Sequence, residues 1–256
     1  MGGWVRYMAP AKDVVGPDGS VDVAFQFHGA EVAETDWRQS GLNALIVSAT
    51  FPGWGSVPYK RGFSDPIKFG TILDDALKKV GATRVRRLLL VSWSAGYAAM
   101  GLALSNAHYY ALADAVVVLD GMHADFIDGK PDERPIAIFE AYARDAVAGR
   151  KTMVISHSSI VPPGYASTTQ MAELLLASVG VKRIEGERTN TDGMVEWYHA
   201  DAGGLHVRGY RGLGPKDHLE QLHLLDALVR EHVTPRWTRL ALEDARRGPA
   251  ASTATQ

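Results

Sequence analysis

Residues 88–100 read LLLVSWSAGYAAM: an aliphatic run, then Ser92-Trp93-Ser94-Ala95-Gly96, then an alanine-rich stretch of helical character. Attack on a carbonyl carbon needs a hydroxyl held clear of its own backbone. A sharp strand-to-helix turn does this, provided that the neighbours are small. The nucleophile-elbow pattern G-x-S-x-G meets that need. Here Ser92 replaces the first glycine, the next-smallest polar choice, and Gly96 keeps the second. The chemistry on offer at Ser94 is acyl transfer through a covalent intermediate. A plainer role is also open, in which Ser94 only caps the helix that follows it.

The elements around Ser94 must place it at an accessible end of a sheet. Strands are predicted over 21–29 (VDVAFQFHG), 44–51, 86–92, 114–120 and 151–157. The last three are short apolar runs bounded by charge, as expected of central parallel strands covered on both faces. Helices are predicted near 67–80, 95–107, 134–148 and 167–179, with a final one from about Asp217 to Val229. Gly81 follows a lysine-rich helix end and reads as a stop. The Gly-rich segment 188–212 reads as one or two late strands joined by a turn at Gly203-Gly204. This alternation implies an α/β fold: a doubly wound, mostly parallel sheet flanked by helices, with right-handed crossovers. Ligands bind at the carboxyl ends of such strands, where Ser94 falls. No connection is long enough for an independent domain, so residues 1–247 are expected to form one domain. The tail GPAASTATQ (248–256) is expected to be disordered.

Composition narrows the function. In 256 residues, 29 acidic side chains nearly balance 27 basic ones, for a net charge of −2. Neither a nucleic-acid surface nor a polybasic membrane patch is indicated. With no cysteine there is no thiolate nucleophile, disulfide framework or cysteine-ligated metal. No apolar run approaches a membrane span, and MGGWVRYMAPAKD lacks the features of a signal peptide, so a cytoplasmic location is expected. No H-E-x-x-H occurs, and His28, His123 and Asp125 lack ligand spacing, so no metal is expected. No G-x-G-x-x-G follows a strand, so no nicotinamide cofactor is implied.

The order and placement of these features resemble the α/β-hydrolase superfamily, in its serine esterase and lipase branch, over roughly residues 20–232. That resemblance implies a Ser…acid…His order, an oxyanion hole of two backbone amides, and little or no cap domain. The family's base lies just before the final helix, where GLGPKDHLEQLHLLDAL supplies His218. Asp217 and Glu220 look like a capping box, which would put His218 in the first helical turn. His206, in GGLHVRGY, is the rival base, and His223 lies too far into the helix. The acid commonly follows the strand after next, but KTMVISHSSIVPPGY contains no Asp or Glu. The preceding strand ends in Asp120, as in the pancreatic-lipase variant of the fold, and Asp125 is the fallback. The amides of Ala95 and Ala30 are the expected oxyanion donors, with Gly29 as the alternative in the signature His28-Gly29-Ala30. His28 is expected to support that loop and not to act as the base.

Aromatic residues flank the expected mouth. His28, Trp54, Tyr59, Trp93 and Tyr165 are the candidate substrate contacts, with Tyr97, Trp197 and Tyr198 nearby in type. The function expected is a cofactor-free serine hydrolase cleaving a small or polymeric carboxylic ester. An amidase, peptidase or acyltransferase would use the same residues. A non-catalytic binding protein on the same scaffold is the alternative of a different class. The sequence does not speak to oligomeric state.

Overall fold

The computed structural model describes residues 4–10, 13–53 and 55–247. Among these residues eleven strands occur in chain order: β1 (Trp4–Met8), β2 (Ser20–Phe27), β3 (Leu45–Thr50), β4 (Arg84–Trp93), β5 (Ala113–Leu119), β6 (Phe126–Ile127), β7 (Lys130–Pro131), β8 (Thr152–His157), β9 (Ile184–Thr189), β10 (Val195–Ala202) and β11 (Leu205–Tyr210). Strands β6 and β7 form a small separate hairpin, and the other nine form one sheet in the order β1-β3-β2-β4-β5-β8-β11-β10-β9. From β3 to β11 every neighbouring pair is parallel, while β1, β10 and β9 are antiparallel additions at the two edges.

The central strands are aliphatic throughout because both of their faces are covered. Leu88–Val91 of β4 and Ala115–Leu119 of β5 are entirely buried. One face carries α3 (Lys68–Val80), α4 (Tyr97–Leu104), α6 (Ala137–Val147) and α7 (Thr168–Ser178) over Phe25, Phe27, Leu88 and Leu90. The other carries α1 (Glu34–Ser40), α8 (Pro215–His223), α9 (Leu225–Leu228) and α10 (Thr234–Arg247) over Leu89, Val91 and Val117. Helix α3 shows how the sequence selects this packing. Phe69, Ile72, Leu73, Ala76 and Leu77 are buried at three- and four-residue spacing, and Gly81 ends the helix at φ +71°. Short helices α2 (Val57–Gly62) and α5 (Ala107–Leu112) complete the connections.

This is a doubly wound, mostly parallel sheet flanked by helices, as the sequence predicts. Only the β6–β7 hairpin and one short 3₁₀ turn lie between β5 and α6. Among the described residues no helix is long and apolar enough to cross a membrane. The tail 248–256 and Trp54 lie outside the described residues.

Several boundaries differ from the sequence reading, each for a local reason. The helix predicted over 95–107 breaks at Ser105-Asn106, where the Asn106 side chain accepts from the His108 amide and starts α5. The helix predicted from about Asp217 to Val229 starts at Pro215, gives way to α9 after His223, and is not the last, since the unpredicted α10 follows. Asp217 therefore sits one turn in, where its carboxylate accepts from the amides of Leu213 (2.8 Å) and Gly214 (2.9 Å). Strand β1 was not predicted: its residues alternate only weakly, and its pairing with β3 decides it. The late segment holds β10, β11 and the end of β9, with Gly203-Gly204 at the β10–β11 turn as expected.

The chain crosses back over β2 in passing from β3 to β4. The carboxyl ends of β2 and β4 thus meet at the point where strand order reverses, the usual ligand crevice of an open α/β sheet. His28-Gly29 and Ser94 leave the sheet there, side by side, with Phe27 in register with Ser92.

Candidate active site

Ser94 stands at φ +51°, a left-handed conformation that a non-glycine residue adopts only when its surroundings impose it. The imposition is visible at Gly96. A Cβ there would lie 2.1 Å from the Phe27 carbonyl oxygen, so the turn presses against the end of β2 and admits only glycine. On the other side, a Cβ at Gly121 would lie 2.9 Å from the Ser94 carbonyl oxygen. Ser92, at the first glycine position of the pattern, is wholly buried, and its hydroxyl points toward Met100 Sδ (3.7 Å). His28, Asp120 and Met122 also have positive φ, so most strained non-glycine residues among those described cluster at three neighbouring strand ends. Such clustering marks a site whose geometry the fold over-determines.

Asp120 follows β5 and is 2% exposed. Its carboxylate accepts from the Ser158 amide (2.9 Å), the Ser158 hydroxyl (2.8 Å) and the Thr168 hydroxyl (2.9 Å). It also accepts from His218 Nδ1, at 2.7 Å. Burial alone would raise the Asp120 pKa. The hydrogen bonds from His218 and Ser158, with the charge on His218, outweigh it and hold the carboxyl below its ordinary range. An ionised carboxylate accepts only, so the His218 proton resides on Nδ1 and Nε2 presents a lone pair. That is the tautomer a general base requires.

Trp93 fixes His218 from a third direction. Its indole stacks on the His218 ring at 4.9 Å between centroids, and its Nε1–H donates to the His218 carbonyl at 3.0 Å. The same indole stacks on His28 at 4.9 Å. Among the described residues no hydrogen bond joins Ser94 Oγ to His218, a contact that in free enzymes often closes only with substrate.

The candidate oxyanion amides differ in availability. Ala95 opens the turn into α4, where an amide has no partner within the helix. The Ala30 amide donates to Thr50 Oγ1 (3.3 Å), and Ala30 lines a groove with Trp37 and Ile46, away from Ser94. The His28 amide donates to the Ala49 carbonyl. Only the Gly29 amide of this trio has no partner among the described residues. Gly29 sits at φ +79°, and a Cβ there would meet Leu222 and Trp93 within about 3.1 Å.

A cavity of about 330 Å³ opens beside Ser94 and Ala95, walled by Tyr97, His123 and Tyr165 with Asp125 on its exposed rim. Tyr165, a candidate substrate contact, therefore lines the cavity beside Ser94. Tyr59 does not: it is 1% exposed, and its hydroxyl is hydrogen-bonded to His28 Nδ1, so it braces the loop instead of lining the cavity. Burial pushes the Tyr59 pKa up to about 12, which keeps it a donor. Burial, and then the charge on His218, push His28 down to about 4, so His28 is a neutral support. Trp93 and His28 are absent from the cavity wall: they stack on one another, and Trp93 stacks on His218. Trp54 lies outside the described residues.

The rivals are elsewhere. His206 sits at the far end of β11, bonded to Asp201 (2.6 Å) and stacked on His232. His223 pairs with Asp36 of α1 (3.1 Å). Asp125 does not contact His218, whose Nδ1 belongs to Asp120. Ser158 and Thr168 escaped the sequence analysis, and His123 entered it only as a metal ligand without the spacing for one. The one hint for Ser158 was the polar run SHSS directly after an apolar strand. Among the described residues no group of three His, Asp or Glu side chains is placed to hold a metal ion.

No family model matches this chain, and no curated protein does either. Several solved structures superpose on it. The haloalkane dehalogenase DbeA from Bradyrhizobium elkani USDA94 is 11% identical at a TM-score of 0.48, covering 95% of this chain and 100% of its own. An α/β-hydrolase fold protein from Chitinophaga pinensis is 7% identical at 0.47, covering 94% of each. A Bacillus cereus carboxylesterase is 12% identical at 0.45, covering 87% of this chain and 93% of its own. Superpositions this loose carry no chemistry from those proteins to this one. The fold rests on the strand order itself, and the function on the residues.

Proposed function

We propose that the protein is a serine hydrolase that cleaves a carboxylic ester through an acyl-enzyme. The observation carrying this reading is the 2.7 Å Asp120–His218 bond at the sheet end where Ser94 stands on its strained turn. Ser94 Oγ attacks the ester carbonyl while its proton passes to His218 Nε2. The imidazolium so formed is stabilised by Asp120. The tetrahedral intermediate collapses, the bond from the carbonyl carbon to the alcohol oxygen breaks, and His218 returns the proton to the departing alkoxide. Water then attacks the acyl group by the same route, leaving a carboxylic acid and free Ser94.

The oxyanion is received by the Ala95 amide and the Gly29 amide. Gly29 takes the place of Ala30 in this assignment because the Ala30 amide already has Thr50 as its partner. Two preorganised amides, one just past the end of β2 and one at a helix start, supply a large share of acyl-transfer catalysis.

A binding protein on the same scaffold is the second reading, favoured by the missing Ser94–His218 hydrogen bond. A fluorophosphonate probe separates the two. Labelling of Ser94 in the wild type, lost in both Ser94→Ala and His218→Ala, is the expected result. A folded wild-type protein that takes no label on any serine overturns the hydrolase reading.

A further inference from the structure

His123 contributes a specific group to the cavity beside Ser94. Its Nδ1 lies 3.1 Å from the Ala166 carbonyl, and a carbonyl only accepts, so the proton of the ring is on Nδ1. Nε2 is left as a lone pair. That atom has no hydrogen-bond partner among the described residues, and it is not among the buried polar atoms sealed from solvent. It therefore borders open space, and the space His123 lines is the cavity it shares with Ser94 and Ala95.

The ring is not free to turn away. The Tyr97 hydroxyl donates to the His123 carbonyl at 2.7 Å, and Tyr165 packs edge-on against the imidazole at 5.1 Å. Ala166 in turn donates its amide to the Ala124 carbonyl at 2.8 Å, which clamps the segment carrying His123 to the one that holds its proton. Burial lowers the His123 pKa, so the ring stays neutral near pH 7. A neutral, oriented acceptor discriminates among ligands even beside the Ser56, Lys60 and Asp125 side chains of the same wall, because a polar atom left unmatched by the ligand that covers it is costly.

We propose that this cavity selects esters bearing a hydroxyl or N–H donor close to the scissile carbonyl, with His123 Nε2 accepting that hydrogen bond. The inference rests on the ester-hydrolase reading and names the substrate class of that same site.

The test is a set of matched pairs, each assayed for kcat/KM by acid release. Ethyl 2-hydroxybutyrate and ethyl 3-hydroxybutyrate are each compared with ethyl butyrate, and 2-hydroxyethyl butyrate with propyl butyrate. Wild type is expected to prefer the hydroxylated member of at least one pair by about tenfold or more, which is the scale of one oriented hydrogen bond. In His123→Phe that ratio is expected to fall to near one, and in His123→Gln, which keeps an acceptor, to recover in part. The ratio is taken within one preparation, so a loss of folded protein cancels from it. A wild-type ratio near one for every pair overturns the inference and leaves the esterase reading standing. So does a preference unchanged in His123→Phe. If wild type turns over none of these esters, the inference falls; a fluorophosphonate label on Ser94 then leaves the serine-hydrolase reading standing, and no label on any serine overturns that reading as well.

Discussion

Replacing Asp120 by asparagine isolates what the buried carboxylate does. Asparagine keeps the shape and tolerates the left-handed backbone at φ +42° better than other residues, so the strand end need not move. Its amide oxygen still accepts from the Ser158 amide and the Thr168 hydroxyl, now at 2.9 Å each. Its NH₂ takes the place of Oδ2, the atom that faces His218 Nδ1 at 2.7 Å. Two donors then confront each other. His218 escapes by moving its proton to Nε2, which leaves no lone pair for the Ser94 hydroxyl. In a serine hydrolase the wrong tautomer lowers kcat by about 10⁴, or about 5 kcal/mol of barrier. Stability changes far less, because the substitution also removes a buried charge. The melting temperature is expected to stay within about 5 °C of wild type. The assay is kcat and KM on p-nitrophenyl butyrate from pH 6 to 9, with circular-dichroism melting of the same samples. A folded Asp120→Asn protein with kcat within tenfold of wild type would refute the role given to Asp120 and, with it, the tautomer argument for His218.

Two further outcomes concern stability. Gly96→Ala forces a Cβ to 2.1 Å from the Phe27 carbonyl oxygen, a backbone atom that cannot yield cheaply. A loss of about 3 kcal/mol or more is expected, and a melting temperature within about 2 °C of wild type would contradict the packing described. Acid should destabilise the fold in a defined window. His28 and His232 stay neutral in the fold, pushed by burial to about 4 and about 3, whereas in the unfolded chain both sit near 6.5. Between those values the unfolded chain binds more protons. Stability is therefore intact above about pH 6.5 and falls as pH drops through that window, by about 2 kcal/mol for each group at pH 5. The His232→Phe protein should lose about 2 kcal/mol less than wild type between pH 7 and pH 5 in urea unfolding. Equal losses in the two proteins would show that His232 is not held neutral.

Local pattern was enough for the framework. The aliphatic runs of β4, β5 and β8 announce central parallel strands because no other setting buries both faces of a strand. Small residues between an aliphatic run and an alanine-rich helix announce the Ser94 turn, since only they fit against the end of β2. Asp120 and His218 were legible as candidates because each ends or follows a strand on the ligand side of the sheet. What the sequence could not decide was which groups meet. Asp120 was preferred over Asp125 by position alone. What favours Asp120 is that Ser158 and Thr168, from the loop after β8 and the start of α7, converge on its carboxylate. The proposed exchange of Ala30 for Gly29 depends on Thr50 at the end of β3, a neighbour created only by sheet pairing. Tyr59 and Trp93 read as substrate contacts because aromatic residues near a mouth often are. Tertiary packing instead turned them inward, one to hold His28 and the other to hold His218. Sequence periodicity records which face a residue buries, whereas the partner it meets there is set by strands and helices far apart in the chain.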